Sequence, residues 1–322
     1  MERLLNRATT VLARLWRGSA PLTATGVFML AVLAVSLVGL VVDPRMVTGA
    51  PVWLKPVKFA ISTAVYMLTL AWVFTLLPEW PRTRRGVGWL TAVVMVLEVA
   101  IIDLQAWRGT TSHFNVGTAF DGALFTIMGV SIVVQTLTSI AVAVALWRQR
   151  FEDAALGWAL RWGMVITILG ASTGGLMTRP TSAQLDEVRA TGRMPIAGAH
   201  TVGAPDGGRG LPGTGWSLDH GDLRIPHFIG LHAVQVLPLF TLAIRRRRLM
   251  ERGQMRVVLV AASSYGSLFV ILLSQALRGQ SLVQPDGVTI IALTGWAIAT
   301  GAAAWHAAAR HAPLPGQAVV IS

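Results

Sequence analysis

Apolar residues run through this chain in stretches of about 20, with neither helical nor strand alternation, and short polar segments separate them. A helix of that length crosses a hydrocarbon core of roughly 30 Å. The pattern predicts helices over 22–42, 59–78, 87–107, 121–146, 157–177, 226–244, 257–278 and 288–308. The expected fold is therefore all-α and transmembrane, an eight-helix bundle with one long Gly-rich external loop. The first run ends in Val41-Val42-Asp43-Pro44-Arg45, without a small-residue cleavage site, and reads as a retained anchor. Ahead of it, Arg3, Arg7, Arg14 and Arg17 alternate with apolar positions, as in an amphipathic helix lying on a membrane surface. The organisation expected is an arm (1–21), a first four-helix half (22–146), a second half (147–308) containing the loop 178–225, and a tail (309–322).

Charge then orients the spans. Lysines and arginines on alternate sides number 16 against 10, and half of the ten lie in the long loop. Short basic loops stay cytoplasmic, so both termini are expected inside and the 178–225 loop outside a bacterial inner membrane. Trp53 and Trp107 fall at outer ends, and Trp80, Trp147, Trp158 and Trp305 at inner ends, where amphipathic rings prefer the headgroups. The net charge of +12 thus marks topology rather than a nucleic-acid groove. Composition agrees: 53% hydrophobic, 13% charged, mean hydropathy +0.59, against roughly 25% charged in soluble domains. Cysteine is absent, which excludes disulfides, thiolate metal sites and cysteine nucleophiles. The partners expected are the lipid bilayer, a small-molecule ligand and further copies of the chain, with no nucleic acid.

Three strings recur in order. Leu54-Lys55-Pro56-Val57-Lys58-Phe59 pairs with Leu223-Arg224-Ile225-Pro226-His227-Phe228, Gln105-Ala106-Trp107-Arg108-Gly109 with Gln275-Ala276-Leu277-Arg278-Gly279, and Asp121-Gly122 with Asp286-Gly287. Phe59 to Gln105 is 46 residues and Phe228 to Gln275 is 47. An offset of four spans preserves orientation, so the halves read as parallel repeats about the membrane normal.

The unusual polar residues gather at the outer ends. Glu98 lies at mid-membrane depth on the third span and shares a face with Gln105, and an intramembrane carboxyl is costly enough to suggest a role. Lys58 reads as a partner for Asp103 near the surface. Arg108 and Arg278, repeat-related, read as two forks for an anionic ligand, with Gln105, Gln275, Glu98 and Gln235 also lining the site. His113, His227 and His232 form a candidate metal set, with Glu98 or Asp121, and two histidines on different helices are one way to ligate haem. His232 shares a face with Gln235, while His227 sits about 140° around the helix. His232 is therefore expected to be the buried member, hydrogen-bonded to Gln105, Gln275 or a cofactor, and Gly230 beside it admits a neighbouring helix.

Motif tests limit the chemistry. No His-x-x-x-His, His-Glu-x-x-His or haem-attachment sequence occurs, and Ser112-His113 lacks the Gly-x-Ser-x-Gly elbow of a serine hydrolase. The stretch 198–217 is so rich in Gly and Pro that neither helix nor strand is expected there, leaving a lid, an anion-binding loop or a surface loop. It lacks a P-loop lysine, so nucleotide binding by that route is rejected. His306 and His311 read as interfacial at the cytoplasmic end.

The strings WLKPVKF (53–59), RGTTSHFN (108–115), GAHTVGAPDGGRGLP (198–212) and GDLRIPHFIGLHAVQVLP (221–238) together resemble a bacterial multi-pass membrane family, over about residues 50–280. No activity attaches to that family, so the resemblance implies a membrane bundle and no site residue. The arrangement of four plus four spans is also similar to that of haem A synthases. Lys58, however, stands where the second half has His227, which argues against two symmetric haem sites. Three functions remain: an outward-facing site for a small ligand or a metal or haem cofactor, with redox chemistry conceivable; a transporter or channel using Glu98; and a non-catalytic subunit docking through its loop.

Overall fold

The computed structural model describes residues 2–246 and 250–309; the tail expected over 309–322 lies outside the described residues beyond Ala309, and so does His311. Helix α1 (Glu2–Gly18) precedes the first span, α2 (Ala20–Val42). The following spans are α3 (Leu54–Thr75), α4 (Pro81–Arg108) and α5 (Ala119–Arg148). Helix α6 (Ala154–Ser172) continues after a break into α7 (Gly174–Met177), and α8 (Ser182–Thr191) lies in the long loop. The chain finishes with α9 (Arg224–Leu231), α10 (Ala233–Ile244), α11 (Glu251–Leu277) and α12 (Gly287–Ala309). Among the described residues seven helices are long and apolar enough to cross a membrane, or eight where the bent pair α9–α10 counts as one span. The protein is a multi-pass α-helical membrane bundle.

Packing follows the small and apolar faces. Helices α2, α3 and α4 pack together, α5 bridges from α4 to α6, and α6 holds α9, α10 and α11, with α12 against α11. The main core cluster joins Leu22, Met67, Phe74, Leu146, Leu160, Met164 and Val234, so it runs across that bridge. A second cluster joins Ala159, Ile166, Leu237, Val258 and Ala262. Arg161, inside α6, donates to the carbonyls of Leu146 (3.0 Å) and Gln149 (2.9 Å) at the end of α5 and lies among Trp147, Phe151 and Trp158. Its charge serves the free C-terminal carbonyls of a neighbouring helix.

The sixth span is not continuous as expected: it bends by 48° between α9 and α10, at His232. The cause is a hydroxyl inserted into the backbone ladder. Thr167 on α6 accepts from the N–H of Val234 (3.2 Å) and donates to the carbonyl of Leu231 (3.3 Å). Tyr265 on α11 donates to the carbonyl of Ile229 at 2.6 Å. Gly170 and Gly230 meet just there, so close that a Cβ on Gly230 would lie 2.4 Å from the Gly170 Cα. Gly230 thus admits a neighbouring helix, α6, and backbone groups freed inside the membrane find partners on two helices.

Two hairpins close alike. At α4–α5, Gly109 takes φ +74° and the Gln105 carbonyl accepts from the N–H of Thr110 at 3.0 Å; at α11–α12, Gly279 takes φ +72° and the Gln275 carbonyl accepts from Gln280 at 3.1 Å. Arg108 pairs with Asp121 (2.5 Å) and Arg278 with Asp286 (2.6 Å), each carboxylate standing at the start of the returning helix.

The long loop is more structured than its composition suggests. Thr181 and Gln184 form a capping box that starts α8. Within the Gly-rich stretch, β1 (Thr201–Val202) pairs antiparallel with β2 (Gly221–Asp222) just beyond it, which corrects the expectation of no strand there. Bonds at its edge and from other segments tie it down: Lys58 donates to the Thr214 carbonyl (2.9 Å), Arg224 to that of Gly215 (2.6 Å) and Ser281 to that of Leu218 (2.7 Å). These contacts draw the loop over the ends of α3, α9 and α11, here termed the loop end of the bundle.

Candidate functional site

Beneath that loop the chain gathers titratable groups from five segments. Glu98 comes from α4 and is 3% exposed. Its Oε1 lies 3.8 Å from Nε2 of His113, which is in the α4–α5 connection, while its Oε2 has no partner. His113 is further placed by Ser112 Oγ, 3.1 Å from its Nδ1, and by the rings of Phe59 and Phe114 at 5.8 and 6.1 Å. Phe114 holds a left-handed backbone (φ +65°), which turns its ring between His113 and His200, 4.8 Å from the latter. His200 comes from the long loop. Its Nδ1 meets Asp206 Oδ2 at 2.6 Å, and Asp206 also accepts the backbone N–H groups of His200 and Thr201. The carboxylate fixes the imidazole in place and leaves Nε2 as its open nitrogen.

Lys55, at the start of α3, completes the group. Its ammonium sits 5.8 Å from the Phe59 ring and makes no hydrogen bond or ion pair among the described residues, while it couples electrostatically to Glu98, Asp206, His113 and His200. His227 on α9 stands close enough to His113 and His200 to couple with both. Burial beside this lysine holds His113 well below the usual histidine range, and burial also lowers His200. Asp206 is held below the ordinary carboxylate range by its bonds to His200 and to the backbone, which outweigh its burial.

Several expected site residues go elsewhere. Arg108 is bound to Asp121 and Gln105, and Arg278 to Asp286 and Thr289, so both forks are closed within their own hairpins. Gln105 donates to Asp121 (2.8 Å) and Gln275 to the Ser281 carbonyl (2.7 Å); neither reaches His232. Lys58 holds the loop rather than Asp103, whose Oδ1 is unpartnered. The two histidines differ in partners rather than in depth, since both are half-buried. His227 is the one locked between helices, its Nδ1 2.8 Å from the Gly170 carbonyl and 3.2 Å from Thr173 Oγ1. His232 caps the bend and lies against the half-exposed Phe228 ring at 4.3 Å. The 140° offset between His227 and His232 assumed one straight helix, and the 48° bend at His232 removes that premise.

Gln235 lines an apolar cleft of about 200 Å³ between α3 and α10, with Trp72 and Pro238, and its side-chain amide lies 3.1 Å from the His232 carbonyl. Among the described residues no three histidine, aspartate or glutamate side chains converge as metal ligands, so His113, His227 and His232 do not fit a metal centre as placed. Sequence reasoning passed over Lys55, His200 and Asp206 as site residues. The His-x₅-Asp spacing within a Gly-rich loop was the available signal for the last two.

In comparison with known proteins, no family model, curated protein or solved structure matches the chain.

Proposed function

We propose that this membrane protein binds a small zwitterionic or amphoteric molecule at the loop end, between Lys55 and Glu98. The observation that carries this reading is the buried Glu98 carboxylate with an unpartnered oxygen, in the electrostatic field of an ammonium that also lacks a partner. An uncompensated buried polar atom costs about 1–3 kcal/mol, and more when charged. A ligand offering an N–H or O–H to Glu98 and a negative group to Lys55 removes that cost at both ends. His113 and His200, held neutral, present ring nitrogens that accept or donate according to tautomer. The loop, fastened by Lys58 and Arg224, covers this end of the bundle.

Orientation is part of the proposal: by the Lys and Arg contrast, the loop end faces outward from a bacterial inner membrane and the termini stay inside. The matched hairpins at Arg108–Asp121 and Arg278–Asp286 support descent from a duplicated four-span unit. Within it, Lys55 corresponds to Arg224, which is paired with Asp222 at 2.6 Å, whereas Lys55 makes no such pair among the described residues.

The test is a thermal-shift series on the purified full chain in detergent, with glycine, γ-aminobutyrate and phosphoethanolamine as probes. Saturable stabilisation by at least one probe, lost in Glu98→Gln and in Lys55→Gln, is the expected result. Equal responses in all three proteins defeat the reading. A second reading, transport, rests on the broken span beneath the site, because discontinuous helices at membrane depth accompany substrate paths. Uptake of the stabilising probe into proteoliposomes separates transport from binding alone.

A further inference from the structure

We infer that the opposite end of the bundle carries a site for the phosphate of an anionic phospholipid, in the cleft between α1, α3 and α4. This cleft, of about 320 Å³, is lined by Arg14, Arg17, Gly18, Thr75 and Arg84. Three guanidiniums share it, and none pairs with a carboxylate among the described residues. The acidic side chain of the α3–α4 turn, Glu79, is exposed and makes no such pair.

The arginines are held there by structure rather than by chance. Leu15 packs on the main core, and Gly18 fits so tightly that a Cβ would lie 2.3 Å from the Ala71 carbonyl oxygen, which docks the end of α1 on α3. Arg84 reaches across from α4 and donates to the carbonyls of Arg17 (3.0 Å) and Gly18 (2.9 Å), the free C-terminal acceptors of α1. Its Nε is buried with no partner. Like charges gathered without a counter-ion repel one another, and buried donors without acceptors cost free energy. A phosphate diester meets both demands, because guanidinium forks match its oxygens.

A lipid is the source we assign. The cleft opens where α3 ends and α4 begins, at headgroup depth for the two spans. The neighbouring positions of α1 are apolar and exposed, Val11 at 57% and Trp16 at 53%. Acyl chains entering beside the spans would bring their phosphate to the arginines, and juxtamembrane basic groups attract anionic lipid. This inference is independent of the ligand proposed for the loop end.

Native mass spectrometry of the full chain, released from mixed phosphatidylglycerol and phosphatidylcholine micelles, tests it. The wild-type protein should retain phosphatidylglycerol over phosphatidylcholine, and Arg14→Gln/Arg17→Gln should lower that preference about thirtyfold. That pair leaves the Arg84 bonds to the α1 backbone in place; if it fails to fold, Arg14→Gln alone should show a partial loss. Arg82→Gln/Arg85→Gln, at the same end but outside the cleft, should keep the preference. Unchanged retention in the cleft variants overturns the site, as does equal loss in the Arg82/Arg85 pair, which would mean diffuse surface charge. Displacement of the lipid by 10 mM inorganic phosphate would overturn the lipid assignment in favour of a soluble anion.

Discussion

Glu98 shows how little a single residue's position in the sequence says about its partner. Its depth in the third span marked it as costly, and the structure leaves one of its oxygens unpaired beside His113. Replacing it by Gln removes the charge and keeps the shape, so Glu98→Gln should unfold at the same or a higher temperature while losing probe binding. A fall in melting temperature of several degrees would instead make Glu98 a structural partner. The histidines add a pH dependence. His113 and His200 bind protons less readily in the folded protein than their ordinary value of 6.5. The unfolded chain therefore binds more protons below that value, and stability falls as pH drops through and below 6.5. Asp206 works in the same direction at lower pH: its carboxylate stays charged across that window, and its contribution fades as pH falls below the ordinary carboxylate value of 3.8. Amide exchange over 178–225, corrected for intrinsic rates, should accelerate from about pH 7 to pH 5. His113→Phe should flatten that profile, and a flat profile in the wild type would contradict the assignment.

Among the elements, the spans were legible because a run of about 20 apolar residues has few other uses, and every expected helix has its counterpart. The bend at His232 was not, because it depends on Thr167 from another helix entering the ladder, and sequence periodicity sees one helix at a time. Thr167→Val keeps the volume and deletes both bonds, so it should cost about 1–3 kcal/mol in an unfolding titration and leave span topology intact. Gly230→Ala should be worse, because its methyl would enter the Gly170 backbone; a stability equal to wild type would show that the helices separate readily. The hairpin arginines were misread for a related reason. Their carboxylate partners lie 13 and 8 residues onward, within reach only once the turn has formed. Arg108→Lys and Arg278→Lys should accordingly loosen their own hairpins in amide exchange and leave probe binding at the loop end unchanged. Loss of binding without local loosening would restore them to the site.

At the scale of the whole molecule, the sequence placed polar groups at one end and basic groups at the other, and the structure gives each end a distinct chemistry. The loop end holds unpaired charges of both signs under a fastened roof, whereas the basic end holds unpaired arginines beside apolar surface. Convergence of Lys55, Glu98, His113, His200 and Asp206 could not be read from spacing, because it joins residues 55 to 206 across four spans and a loop. Reporter fusions after Arg150 and within 178–225 should report opposite sides, inside and outside respectively. The account stands or falls most directly on equilibrium binding of the best zwitterionic probe to wild type, Lys55→Gln and Glu98→Gln, measured by calorimetry on folded protein. It predicts one site per chain in the wild type, weakened at least tenfold, about 1.4 kcal/mol, by either substitution. Binding of undiminished affinity in both variants would contradict it.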